Sequence, residues 1–416
     1  MKITYYESTK ETLSGLIKLQ LIILEKSPYT STTYIDADEK GIRVTNISAI
    51  ELSTDKDNPI LFPADITVDF IDTDYEIYNK LVIGKCEDVQ LKIIKNNRVE
   101  FFGTITKDLD DSYIYDYAEK EVQIEFATPT QKLKEKRFFD IDGNYILEND
   151  LGTEDTLKNI FNKILTRCGF EGNVDFKHSW QYQGEYTLTN NVYKTFSTTD
   201  LKARLLYVIS ETHNRFDVKT YDDLLKAIVF SLGGYLSFAD YSKPVFRSLL
   251  YGNEKLIPDP QKIMYIKRKK IATKDLVRIT SKFQILSTEG LDISEWNYNS
   301  IENFQGSEDR AFIKDCLFPI EEERDARELF VDLSSAYIIN NVKNPFTNQW
   351  DSNGKVLLDT WSKIISSWNS GALEIALIGN EYQFYNSIEI NGKEFMIESL
   401  RKDLVNNETF IEAFPI

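Results

Sequence analysis

Lys85-Cys-Glu-Asp-Val-Gln-Leu-Lys-Ile-Ile-Lys-Asn-Asn-Arg-Val-Glu-Phe-Phe-Gly-Thr-Ile105, followed by an acidic connector and then Glu121-Val-Gln-Ile-Glu-Phe-Ala127, holds three runs in which apolar and polar residues alternate. Val89, Leu91 and Ile93 share one parity, Val99 to Ile105 returns through Gly103, and Val122, Ile124 and Phe126 alternate again. A period of two is the signature of strands with one buried face, and Asn96-Asn97 between the first two runs supplies the turn of a hairpin. Gly103 sits inside a strand pattern, which predicts a bulge or a close backbone approach. Such a meander builds a small barrel or sandwich and not a catalytic cleft.

Outward from this stretch, the sequence from Ile3 to about Phe138 reads mostly as strand and turn. Leu19, Leu21 and Ile23 alternate, Ile42 to Ile47 continues the pattern, Tyr75 to Leu81 reads as a short helix, and Gln131 to Arg137 closes the unit with a basic run. After Leu151-Gly152-Thr153 the period lengthens to about 3.6. Leu157, Ile160, Phe161, Ile164 and Leu165 fall on one helical face, Glu154 and Asp155 suit its positive end, and Gly169 stops it. The device recurs at Thr220, where Asp222 and Asp223 precede Leu224, Leu225, Ile228, Val229 and Leu232 ahead of Gly233-Gly234; the matching spacing is compatible with a duplicated helix-to-strand unit. Leu201 to Ile209 reads as a further helix, Tyr235 to Phe246 as a hairpin, Glu321 to about Phe330 as an acidic helix, and Ala372 to Phe414 as alternating strands. The expected fold class is α+β, mainly β: a β-barrel-like domain over 1–140, an α-rich domain over 141–235, and a second β-rich domain with a helical insertion over 236–416.

Composition narrows the function classes. A hydrophobic fraction of 42% with 23 Tyr and 25 Phe describes a folded, strand-favouring chain, not a disordered one. A net charge of −17 argues against gripping nucleic acid through its phosphates, which needs clustered Lys and Arg, although DNA sliding past without specific binding stays compatible. Cys86, Cys168 and Cys316 are widely spaced and odd in number, so neither a disulfide framework nor a zinc knuckle is expected. No secretory signal leads the chain and no apolar run is long enough to span a bilayer, so membrane insertion is not expected.

No catalytic residue, metal ligand or cofactor is assigned. The chain has two histidines, His178 and His213, and neither lies in a nucleophile elbow, a zinc-binding helix or a Cys-His spacing. Asp108, Asp110, Asp111 and Glu321 to Glu323 read as a solvated acidic surface, and Trp350, Trp361 and Trp368 as packing residues that could also face a sugar. One basic run interrupts the acidic background: Lys267, Arg268, Lys269 and Lys270, then Lys274 and Arg278. It is either a solvated loop or a docking patch for an acidic neighbour, possible copies of this chain included.

The run Asp55-Lys-Asp-Asn-Pro-Ile60, Ile66-Thr-Val-Asp-Phe70, Asp74-Tyr-Glu-Ile-Tyr78, Val89-Gln-Leu-Lys-Ile93 and Val99-Glu-Phe-Phe-Gly-Thr-Ile105 resembles the first barrel of tail hub (baseplate hub) proteins from phages of Bacteroidetes bacteria. Thr220-Tyr-Asp-Asp-Leu-Leu-Lys-Ala-Ile228 and Gly233-Gly-Tyr-Leu-Ser-Phe238 resemble the helix and hairpin that follow in those proteins. The resemblance covers roughly residues 50–140 and 219–247 and holds only in outline toward the C-terminus; with the sequence ending at Ile416, an appended lytic or receptor-binding domain like that of longer members is not expected. It implies a non-enzymatic subunit of the virion tail, assembled in the host bacterial cytoplasm. It also implies a homo-oligomeric ring, a trimer by preference, that joins the tail tube to tail-tip proteins and lines the channel for DNA ejection. The alternatives are a tail-tip enzyme or carbohydrate-binding module, a distal tail ring protein, and the hub of a contractile injection system.

Overall fold

A computed structural model describes residues 1–13, 15–54, 58–83, 86–105, 113–136, 155–170, 173–187, 192–205, 220–239, 243–250, 254–269, 275–280, 286–287, 302–303, 328–332, 339, 341–369 and 371–416. The class is mainly β. In the first region the strands Lys2–Thr12, Gly15–Glu25, Ser31–Asp36, Cys86–Lys95 and Arg98–Thr104 make one sheet, and Ile42–Ile47, Ile66–Asp72, Tyr113–Asp116 and Glu121–Phe126 make a second. Alternate residues of both sheets, among them Leu19, Leu21, Val68, Phe70, Val89, Leu91, Val122 and Ile124, enter one shared core. Thr104 bridges to Ala127 and ties the sheets at one corner. Among the described residues neither sheet closes on itself, so the unit is a two-sheet sandwich in this structure.

The opening stretch folds as its pattern requires. Asn96 and Asn97 have φ of 51° and 61°, the pair of positive values that a two-residue hairpin turn matched to strand twist demands. At Gly103 a Cβ would lie 2.6 Å from the Phe101 ring and 2.9 Å from the Ala127 carbonyl oxygen. That is a close approach. The bulge itself lies two to three residues earlier: Ile93 faces Phe101 while Ile94 faces Val99, leaving Glu100 as the extra residue. The bulge turns Glu100 out of the ladder and into the molecule's interior.

The helix Leu157–Arg167 buries the five apolar residues of its periodic face, with Thr156 accepting from the Asn159 N–H and Gly169 ending it at φ 78°. The helix Tyr221–Ser231 opens with a reciprocal capping box between Thr220 and Asp223 and ends at Gly233, φ 69°. The two helices are capped at different points of their shared spacing. Leu201 to Ile209 does not form the expected helix over its described part; Thr198–Asp200 is a 3-10 turn and Lys202–Leu205 a strand paired with Asp155–Thr156. Of the expected acidic helix only 328–330 is described, and it lies in the strand Glu328–Asp332, parallel to Asp275–Thr280.

A seven-stranded sheet dominates the C-terminal region, in the order Glu254–Leu256, Asn386–Ile390, Lys393–Asp403, Glu408–Pro415, Ala372–Ile378 and Ile263–Lys269, with Ile50–Ser53 also paired to Lys393–Asp403. The first region therefore donates a strand to the last. It donates another to the middle: Ile60–Leu61 runs parallel to Gly234–Ser237. A second core runs beneath these elements and includes Leu52, Ile60, Val99, Phe161, Ile228, Phe246, Trp361 and Ile397. Arg247 is fully buried within it, donating to the Met396 sulfur and the Ile397 carbonyl and lying 4.2 Å from the Phe384 ring centroid. Burial pulls its pKa down to about 10, so it remains charged near neutrality.

Candidate interaction surface

Of the basic run, Lys267, Arg268 and Lys269 lie on Ile263–Lys269, the outermost strand of the C-terminal sheet, and not on a loop. Lys270 and Lys274 fall outside the described residues, and Arg278 lies on the separate strand Asp275–Thr280. Register explains what the lysines meet. Lys267 stands opposite Glu374, which stands opposite Glu412 on the next strand. Lys267 approaches Glu374 at 3.6 Å, Lys269 pairs with Glu412, and Tyr265 donates to Glu374 at 2.8 Å. The hydrogen bond from Tyr265, with Lys267 beside it, holds the Glu374 carboxyl below its ordinary pKa, and the same bond pushes the Tyr265 phenol up. The cluster is thus a band of alternating charge, with Lys267 and Lys269 compensated from within the chain.

On the strand beside Glu408–Pro415, Arg401 pairs with Glu51 at 2.9 Å and lies over the Phe410 ring. Glu51, Phe62, Tyr265, Glu374, Arg401 and Glu412 line an open groove of about 530 Å³ along this face. The outer edge of Ile263–Lys269 carries no further strand among the described residues, and Met264, Tyr265 and Ile266 are 40 to 47% exposed along it. An uncovered edge with apolar side chains offers its N–H and C=O groups to another chain. Sequence reading found the basic residues but missed their acidic partners, because Glu374 and Glu412 are separated from them by more than 100 residues and carry no motif of their own.

Among the described residues, the other singled-out residues form no joint site. His178 has a partly exposed ring whose Nε2 is enclosed without a hydrogen bond, and burial pulls its pKa down to about 4. His213 and Cys316 lie outside the described residues. Cys168 is buried beside the helix end, with its thiol pushed up to about 12 by burial, the state of an unreactive core cysteine. Trp361 is buried in the core, whereas Trp350 is 38% exposed. Among the described residues no group of His, Cys, Asp and Glu is arranged to hold a metal ion, and no helix is long and apolar enough to cross a membrane.

No protein-family profile matches the chain, and no curated protein matches it. Among solved structures it is similar to a 43 kDa tail protein of prophage MuSo2 from Shewanella oneidensis, with 11% identity, a TM-score of 0.41, and 89% of this chain and 95% of that chain covered. It is also similar to the prophage tail protein gp18 of Listeria monocytogenes, with 11% identity, a TM-score of 0.37, and coverage of 88% and 87%. A third similar structure is the E. coli c3393 protein, a type VI secretion component described as similar to the T4 tail proteins gp27 and gp5, with 8% identity, a TM-score of 0.40, and coverage of 90% and 76%. At such scores no residue role is carried over from any of them.

Proposed function

We propose that this protein is a non-enzymatic structural subunit of a phage tail hub, assembling as a ring that joins tube to tip. The observation that carries the reading is the hub-like run between Asp55 and Ile105. Its segments supply Ile66–Asp72, Cys86–Lys95 and Arg98–Thr104 to the two-sheet unit, so the resemblance coincides with a structural module rather than with scattered positions. In this reading two β units of each subunit alternate around an axis, which makes a trimer pseudo-sixfold. Small β units fill their interiors with side chains, so a channel wide enough for duplex DNA lies between units and subunits. A chain of net charge −17 lining it repels phosphates and lets DNA pass without sticking.

The edge strand Ile263–Lys269 is the contact we assign to a neighbouring subunit. Its exposed apolar residues and open backbone edge favour strand addition, and its alternating band of Lys and Glu side chains would meet a complementary band on the partner. The test is charge reversal of Lys267, Arg268 and Lys269 to Glu, followed by sedimentation of the assembled species across a salt series. Loss of assembly with an intact monomer is expected; assembly indistinguishable from the parent protein would return the cluster to a purely intramolecular role.

A further inference from the structure

Where Ile66–Asp72 ends, its turn meets the hairpin turn between Tyr113–Asp116 and Glu121–Phe126, and four tyrosines come together. The Tyr75 ring centroid lies 4.9 Å from that of Tyr117 and 6.2 Å from that of Tyr78, and Tyr78 lies 5.4 Å from Tyr117 and 4.9 Å from Tyr115. The fully buried Asp72 carboxylate accepts the Glu76 and Tyr78 N–H groups and the Tyr115 hydroxyl, and the turn so held keeps Tyr75 at φ 58°. A bulky side chain in the left-handed region is strained, and such strain collects at functional sites. The cluster already takes one cation: the Lys120 ammonium, donating to the Thr73 carbonyl, lies 4.6 Å from the Tyr75 centroid. Tyr117 stays 59% exposed. Asp74, Asp116, Glu119 and Glu121 are exposed beside these residues in the chain, and among the described residues no Lys or Arg side chain pairs with any of them. Asp116 holds the Ala118 and Glu119 N–H groups through Oδ1 alone. Tyr113–Asp116 is also the outermost strand of its sheet among the described residues, with Ile114 68% exposed. An open edge of this kind takes up an extended segment.

We infer that this corner docks an arginine-bearing extended segment of a different protein, with its backbone along Tyr113–Asp116 and a guanidinium against the Tyr117 ring. A guanidinium is planar, stacks on an aromatic face and offers several donors to carboxylates, so one side chain answers both the exposed ring and the unpaired acids beside it. The same carboxylates repel phosphate groups and other anions. A second copy of this chain, with a net charge of −17, is a poor match for an acidic surface.

The probe is a labelled peptide of alternating Val and Arg, titrated against the full chain and followed by fluorescence anisotropy. Saturable binding that salt weakens is expected, and the same peptide with citrulline in place of Arg should not bind. Tyr117→Ala should weaken binding about tenfold, Tyr117→Phe should keep it within about twofold of the parent protein, and Asp116→Asn with Glu119→Gln should weaken it about tenfold. Removing two carboxylates from the C-terminal sheet, Glu389→Gln with Glu394→Gln, should leave it unchanged. Absence of saturable binding by the parent protein overturns the site whatever the variants do. Equal binding by Tyr117→Ala, or of the citrulline peptide, overturns it as well. Self-association of the parent protein that Tyr117→Ala abolishes would put a second copy on the patch and overturn the choice of partner.

Discussion

Glu100 and Lys402, both with side chains 4% exposed, form the one fully enclosed ion pair described between the first sandwich and the C-terminal sheet. Burial pushes the Glu100 carboxyl up, but Lys402 and Arg98 outweigh it and hold the group below its ordinary pKa. Removing one partner leaves the other charge buried, so Glu100→Gln should cost about 3–5 kcal/mol in denaturant unfolding. The double variant Glu100→Leu with Lys402→Met should recover most of that loss, and a double variant as unstable as the single one would contradict the pairing. His178 gives a pH signature of opposite origin. Its folded pKa of about 4 lies below its unfolded value, so the unfolded chain takes up the proton first as pH falls. Stability is therefore full above about pH 6.5 and drains away down to about pH 4, by at most about 3 kcal/mol at about 1.4 kcal/mol per pKa unit, less because the ring is partly exposed. His178→Gln should flatten that limb of the stability curve; an unchanged limb would show the ring to be solvated.

Among the elements, Thr220 offers the cleanest test of local design. Its side chain accepts from the Asp223 N–H while Asp223 reaches back to the Thr220 N–H, so Thr220→Ala should cost about 1 kcal/mol by denaturant unfolding. A change below a few tenths would mean that packing alone fixes the helix start. Elements of this kind were legible in the sequence because their signals are local. The Asn96-Asn97 turn, the periodic face from Leu157 to Leu165 and the glycine stop at Gly233 each declare themselves within a few residues. Leu201 to Leu205 misled because its helical period is overridden by pairing with Asp155–Thr156, a long-range contact that no window of sequence contains. The bulge at Glu100 was invisible for a similar reason, since it depends on which partner residue each strand position meets. The charged band on the C-terminal sheet was half legible: a dense basic run stands out, but Glu374 and Glu412 become its partners only through register.

At the scale of the whole molecule, Ile50–Ser53 and Ile60–Leu61 leave the first region to join the C-terminal and middle sheets, so the β units are laced together and not strung on linkers. A laced subunit suits a load-bearing ring, because force on one unit passes through paired strands to the others. In the proposed ring the exposed Ile263–Lys269 edge would be the seam between subunits. Replacing Ile266 by Lys should blunt that edge and weaken self-association with little loss of monomer stability, since the residue is 42% exposed. The charge-reversal variant should lose assembly in a salt-dependent way, because exposed pairs are screened over about 8–10 Å. The most direct measurement is electron cryomicroscopy of the assembled particle. The expected image is a closed ring of this chain with a net-negative channel surface and the Ile263–Lys269 edge at the contact between subunits; a monomer in the particle, or that edge facing open solvent, would contradict it.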